Sequence, residues 1–196
     1  MAKKSVRNTR GKIVSAAWKL FYEQGYEDTT VEEIIELSKT SKGSFYHYFD
    51  GKDALLSTLS VLFDDKYEEL KTQLDSELPA VEKLLQLNSE LFGMIENSIS
   101  IDLLARLLST QLVTSGEKHL LDHNRTYYKL LRKIIAQGQE EGQIGTKMSV
   151  SEMVKLYALC ERALLYDWCL CGGEYPLRQY SASVLPSFLS GFLPEK

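Results

Sequence analysis

The chain has 196 residues, of which 44% are hydrophobic and 26% charged. That balance is a globular protein's and excludes a disordered chain. No apolar run approaches the roughly 18 residues of a membrane span, and the basic, polar start from Met1 to Lys12 lacks the apolar stretch of a secretory signal. The three cysteines, Cys160, Cys169 and Cys171, are odd in number and crowded together. A disulfide framework is thereby excluded, a reducing cytoplasmic location is expected, and buried thiols are the plainest reading. Their spacing is not that of a zinc finger, so neither a metal site nor a cofactor is expected.

The net charge of −4 hides an asymmetry. Residues 1–55 carry nine Lys/Arg and eight Asp/Glu, whereas residues 56–196 carry fourteen and nineteen. Lys3, Lys4, Arg7, Arg10 and Lys12 stand together at the start without an acid among them. A short basic arm on a near-neutral segment suits a phosphate-facing end, or a solvated tail; charge alone does not separate the two.

In chain order the periodicity is helical throughout. Ile13, Ala16, Ala17, Leu20 and Phe21 form one face of helix one, which Gly25 stops and onto which Tyr26 can fold back. Thr30 and Glu33 make a capping box for helix two, with Val31, Ile34, Ile35 and Leu37 as its apolar side. Ser41 caps a short helix three whose Phe45 and Phe49 point into a core. Asp50 to Asp53 cap helix four, and a stripe from Leu55 to Leu74 carries it for about 25 residues, some 37 Å. Pro79 opens helix five. Ile101 to Leu112 form helix six, ended by Gly116. Leu120 to Ile135 form helix seven. Ser149 and Glu152 box the start of helix eight, which Gly172 and Gly173 stop. Pro176 opens helix nine, with a kink expected at Pro186. With no strand pattern and no repeat, the fold expected is all-α, with nine helices in two domains. The expected boundary falls between residues 1–55, a three-helix helix-turn-helix arrangement, and residues 56–196, a larger helical domain.

Two short capped helices joined by a tight turn are the mark of a helix-turn-helix, whose second helix enters the DNA major groove. Gly43 lets backbone approach phosphate, and Lys42 and Ser44 lie at a helix N-terminus, where the dipole favours anions. Tyr46, His47 and Tyr48 either present three hydrogen-bonding rings to a duplex or flank Phe45 and Phe49 in the core. Spacing leaves both open.

From Thr9 through Ile13, Ala16, Ala17, Leu20, Phe21, Gly25, Tyr26, Thr29, Thr30, Val31 and Ile34, and on through Ser41-Lys42-Gly43-Ser44-Phe45-Tyr46-His47-Tyr48-Phe49 to Lys52, Asp53, Leu55 and Leu56, the chain resembles tetracycline-repressor (TetR/AcrR) type regulators. The resemblance covers residues 9–56; the remainder agrees in general plan only. It implies base and phosphate contacts from Lys42, Gly43 and Ser44, a grip on the backbone from Tyr46, His47 and Tyr48, a phosphate contact from Lys52, and a helix-two cap at Thr30. It also implies a cytoplasmic homodimer, usually a repressor, released from double-stranded operator DNA by a small molecule. Three positions depart from the pattern. Lys39 stands where the turn usually has Gly, at a cost of about 1 kcal/mol if it is left-handed. Ile35 replaces a small residue. Glu32 stands where many relatives carry a basic DNA contact.

In the second domain Asn88, Gln111, Asn124 and Glu161 interrupt apolar stripes. Buried polar groups need partners, which an effector pocket can supply, as can one another, backbone, water or a second subunit. Phe92, Tyr127, Tyr128, Tyr157 and Trp168 are candidate walls, and Glu161 suits a cationic or hydroxyl-bearing ligand. Arg106, His119, His123 and Arg162 read as solvated. Helix eight is apolar on two sides, with Met153, Leu156 and Cys160 beside the Val154–Trp168 stripe. Together with Leu185, Phe188, Leu189 and Phe192 of helix nine they are expected to form a homodimer interface. An enzyme would need a nucleophile–base or metal constellation, and three histidines at 47, 119 and 123 offer none. The alternative kept open is a DNA-binding architectural or adaptor protein without an effector, for which no membrane contact is expected either.

Overall fold

The computed structural model describes residues 2–113 and 118–194, with side chains from Thr9 onward. The side chains of Lys3, Lys4 and Arg7, and Gly116 at the expected end of helix six, lie outside the described residues. Among the described residues there are ten α-helices and no strand. They are α1 (Ala2–Gln24), α2 (Val31–Ser38), α3 (Lys42–Tyr48), α4 (Lys52–Leu56), α5 (Leu59–Gln73), α6 (Ala80–Ser98), α7 (Ile101–Val113), α8 (Thr126–Glu140), α9 (Val150–Leu170) and α10 (Leu177–Leu189). Single 3-10 turns stand at His119–Leu121 and Ser190–Phe192. The chain forms two units: Met1–Val61 with Arg106–Glu117, and Leu62–Ala105 with Lys118–Lys196.

The first unit grows from its caps. Gly25, at φ 90°, ends α1, and the Tyr26 ring folds back to 5.0 Å from Phe21. Thr30 accepts the Glu33 amide at 3.2 Å while Glu33 accepts the Thr30 amide at 2.7 Å, which starts α2. Lys39 ends it in the left-handed region, at φ 54° and ψ 42°, giving its N–H to the Ile35 and Glu36 carbonyls. Ser41 then accepts the Ser44 amide at 3.1 Å and starts α3. Ile13, Ala17, Phe21, Ile34, Phe45, Phe49 and Leu55 fill the centre.

The helix expected over residues 52–74 is interrupted at Ser57 and Thr58. Their hydroxyls donate to the Ala54 and Leu55 carbonyls at 2.7 and 2.6 Å, and Trp18 Nε1 donates to Thr58 Oγ1 at 2.9 Å. Hydroxyls competing for backbone acceptors favour such a break. Counted as one interrupted helix, α4 and α5 bring the number among the described residues to the nine expected. Helix seven likewise begins later, at Thr126, because Asp122 Oδ1 accepts the Asn124 amide at 2.8 Å and turns the chain. Hence α9 and α10 are the helices eight and nine of the sequence.

In the second unit α10 lies along α6, with Leu177, Ser181, Leu185 and Leu189 buried between them. The α8 helix also packs on α6, where Gly138 permits the approach: a Cβ there would lie 2.6 Å from that of Ala80. Gly172 and Gly173, at φ 62° and 75°, stop α9; a side chain at Gly173 would collide with Ile101. Met153, Leu185, Leu189 and Phe192, expected on an outward face, are buried inside the unit instead. The exposed apolar residues of α9 are Leu159, Tyr166 and Leu170, which follow the opposite side of the same helix.

Lys39 is the one non-glycine among the described residues with positive φ. The Lys39→Gly variant relieves a left-handed penalty of about 1–2 kcal/mol at an entropic cost of about 0.5–1 kcal/mol. It should therefore raise the urea midpoint by the equivalent of about 0.5–1 kcal/mol; an unchanged midpoint would mean that the turn carries no strain.

Candidate functional site

The first turn of α3 is open. Lys42 and Gly43 are exposed, and nothing approaches the Gly43 Cβ position more closely than Ser41 Oγ at 4.0 Å. Lys42 Nζ pairs with Glu32 at 3.4 Å across the turn, both side chains being about two-thirds exposed. A pair in that setting holds weakly, about 0–1 kcal/mol, and opens when a better anion arrives. Along the helix Phe45 and Phe49 face inward. Tyr46 and His47 face solvent, and Tyr48 is half-buried with its ring 4.7 Å from that of His47. The three rings thus line the outer side of α3, next to its cationic N-terminus. Thr30 is exposed at the start of α2, engaged in its capping box.

Lys52 takes a different course from the phosphate contact that the resemblance implies. Its ammonium donates to the carbonyls of Tyr26, Glu27 and Thr29 at 2.6, 3.2 and 2.8 Å. It also lies 4.3 Å from the centre of the Tyr26 ring. The Tyr26 hydroxyl donates to Asp53, and burial followed by that carboxylate pushes the phenol well above its usual range. The Arg106 guanidinium stands 4.9 Å from the same ring and pairs with Glu27. Arg106, read as solvated from sequence, therefore fastens the loop between α1 and α2. No local spacing signals a contact between residues so far apart.

The second unit gathers Asn88, Tyr127, Tyr157 and Glu161, four of the expected effector residues. Asn88 Nδ2 donates to Glu161 Oε1 at 2.9 Å, and the Tyr127 hydroxyl donates to Oε2 at 2.6 Å. Ser181 donates to Asn88 Oδ1 at 2.8 Å, and the Tyr157 hydroxyl to the Leu84 carbonyl at 2.8 Å. Burial raises the Glu161 carboxyl above its usual range, against the pull of Tyr127, Asn88, Tyr157 and Arg162. Tyr67, its ring 5.1 Å from that of Tyr127, is buried with a hydroxyl that has no partner. Tyr67 and Ser181 escaped the sequence reading, because one passes for an apolar stripe residue and the other for a small helix residue.

The remaining expected residues lie apart from this network. Phe92 is fully buried. Trp168 gives its Nε1–H to the Tyr175 carbonyl at 2.9 Å, and Tyr128 its hydroxyl to that of Leu120 at 3.0 Å. Asn124 is a correction: it is exposed in the turn before α8, since the helix starts after it. Gln111 is another, being half-buried in the first unit. Asn88 also lines an open groove of about 320 Å³ between α6 and α10, with Leu78, Leu85, Gln86, Ala182 and Pro186.

A capped helical pair whose second helix turns cations and polar rings outward defines a helix-turn-helix protein. Residues 13–59 match the family model described as bacterial regulatory proteins, tetR family. The chain is 42% identical over 82 residues to the HTH-type transcriptional regulator HbdR of Aromatoleum sp. (strain CIB), covering 41% of this chain and 36% of that protein. The chain spans between about a quarter and a half of the length of this and the next curated relatives it matches. Its fold is similar to that of the transcriptional regulator FadR of Bacillus subtilis in complex with stearoyl-CoA, at a TM-score of 0.71 and 23% identity over 93% of this chain and 99% of that one. The Thermus thermophilus FadR structure in complex with lauroyl-CoA gives the same TM-score and identity over 95% and 96%.

Two outcomes follow from this geometry. In Lys52→Met the three carbonyls lose a charged donor, which should cost about 1–3 kcal/mol of stability. The salt dependence of duplex binding should stay as it was; a flattened salt slope at unchanged stability would assign Lys52 to phosphate instead. Glu161, with its folded pKa raised, contributes stability that is fully present below its ordinary value of 4.5 and is lost as pH rises through the folded value. Glu161→Gln carries no such loss. The melting temperature of the native protein should therefore fall relative to the variant as pH climbs above 4.5, and parallel curves would contradict the burial of a charge.

Proposed function

We propose that the chain is a dimeric transcriptional repressor that binds a pseudo-palindromic operator through residues 1–55 and responds to a small molecule bound within residues 56–196. The observation that carries this reading is the outer side of α3. Lys42, Gly43, Ser44, Tyr46, His47 and Tyr48 present two cationic or titratable groups, two phenols and an unobstructed backbone on one short helix. Laid in a major groove, Lys42 exchanges Glu32 for a phosphate or a base edge, Ser44 reads bases, and the rings hold the backbone on either side. Thr30 supports the same surface from the start of α2. Such a protein acts in the cytoplasm, by binding rather than by catalysis.

Dimerisation is assigned to α9 and α10. Leu159, Ala163, Tyr166 and Leu170 recur along the outer side of α9, and Tyr180 is exposed on α10. Residues at i, i+4, i+7 and i+11 make one continuous apolar stripe, the pattern of a helix that meets a partner. The effector is an amphipathic molecule held at Asn88, Tyr127, Tyr157 and Glu161, in keeping with the acyl-CoA complexes of the two FadR proteins. Preferring one dimer geometry over another by about 2.7 kcal/mol would change operator affinity a hundredfold.

The test is an unbiased duplex selection with the purified chain. A pseudo-palindrome bound in a steeply salt-dependent manner is expected. Lys42→Ala and Ser44→Ala should relax base preference at the central positions of each half-site, by about 1–3 kcal/mol per contacted base pair. Absence of any salt-sensitive duplex binding would overturn the reading, and a monomer in sedimentation at micromolar concentration would remove its dimeric part.

A further inference from the structure

Building on the effector reading, we propose that the Glu161 site takes a lipophilic alkylammonium cation, whose N–H groups are shared between the Glu161 carboxylate and the Tyr67 hydroxyl. Glu161 is 4% exposed; Asn88 donates to one oxygen and Tyr127 to the other, with the Tyr157 phenol a third neutral neighbour. Among the described residues no Lys, Arg or His pairs with it. The guanidinium of Arg162, next in sequence, donates instead to the Tyr128 hydroxyl at 3.3 Å. Neutral donors satisfy the lone pairs of a buried carboxylate without cancelling its charge, so a counter-ion is the missing component.

The surroundings select the kind of cation. Tyr67, Tyr127 and Tyr157 are buried, and the phenols of all three are raised by burial and by the Glu161 charge. Aromatic faces around a carboxylate attract an organic cation on both counts. Tyr67 adds a hydroxyl with no partner, which a substituted ammonium can fill with a second N–H. Asn88 connects this point to the groove between α6 and α10, where Leu78, Leu85, Ala182 and Pro186 offer an apolar track for an alkyl body. The thioester group of an acyl-CoA brings an acceptor and no positive charge to the same place. It would answer Tyr67 and leave the Glu161 charge uncompensated, and a fatty acid would add a second negative charge.

The experiment uses the full chain with decylammonium, decanol and lauroyl-CoA, each below its micellar concentration, in calorimetry and in release of the selected duplex. Decylammonium is expected to bind and to release the duplex. Glu161→Gln should weaken it by about tenfold and Tyr67→Phe by about threefold, with decanol changed less than about twofold. Because a proton competes for the same carboxylate, the affinity of the native protein for decylammonium should also fall as pH is lowered toward 4.5. That readout, with Tyr67→Phe, decides the matter if Glu161→Gln fails to fold. Equal decylammonium affinity in native protein and folded Glu161→Gln overturns the assignment. Binding and release by lauroyl-CoA alone also overturns it and leaves the effector reading standing. If none of the three binds while the duplex does, both fall.

Discussion

Three carbonyl oxygens, those of Tyr26, Glu27 and Thr29, converge on the ammonium of Lys52. They belong to the loop that turns the chain from α1 into α2, and the residue that follows them, Thr30, is the cap that starts α2. In the first unit α2 and α3 are reached through that loop. The α2 helix fixes the turn at Lys39, the turn fixes Ser41, and Ser41 fixes the first turn of α3. A charged donor shared by three acceptors holds the loop more firmly than neutral hydrogen bonds would. The Tyr26 ring between two cations, anchored by Asp53, closes the arrangement from the other side. The position of α3 is thus set by a few polar contacts on top of a small apolar centre, a sensible division where a three-helix unit has little core to spend.

The second unit inverts this logic. Its polar groups are inside. Ser181 on α10, Asn88 on α6, Glu161 on α9 and Tyr127 on α8 form one chain of hydrogen bonds through four helices. Apolar contacts alone tolerate a helix sliding by a turn; a hydrogen-bonded chain does not, since a slip would strand several buried groups at once. The network therefore sets the register of the helices around it. It also places a buried carboxyl at the centre of the packing, where burial raises its pKa.

What the sequence revealed is local. The caps at Thr30, Ser41 and Ser149, the glycine stops at Gly25, Gly172 and Gly173 and the Phe45–Phe49 spacing each lie within four residues of what they act on, and these are found where expected. The interruption at Ser57 and Thr58 was missed because two hydroxyls and Trp18, forty residues away, decide it together. The polar residues of the second unit show the same limit. Asn88 and Glu161 did find burial and each other, whereas Asn124 fell outside its helix and Gln111 outside the unit, because a polar residue on an apolar stripe does not say where the helix begins or which neighbour covers it. Met153 and Leu159 are both apolar residues of one helix. Only the packing of α9 against its neighbours tells which is inside.

The ion pair between Glu32 and Lys42 gives the protein a built-in counter-ion. A lysine that meets solvent already neutralised attracts random phosphate weakly, and fewer condensed cations leave the duplex when it lands there. Under the proposed function, only a sequence that offers Lys42 more than Glu32 does opens the pair. Some grip on any single site is given up, and residence on the vast excess of wrong sites is shortened in return. If the chain scans duplex DNA as proposed, a carboxylate next to α3 is a means of letting go.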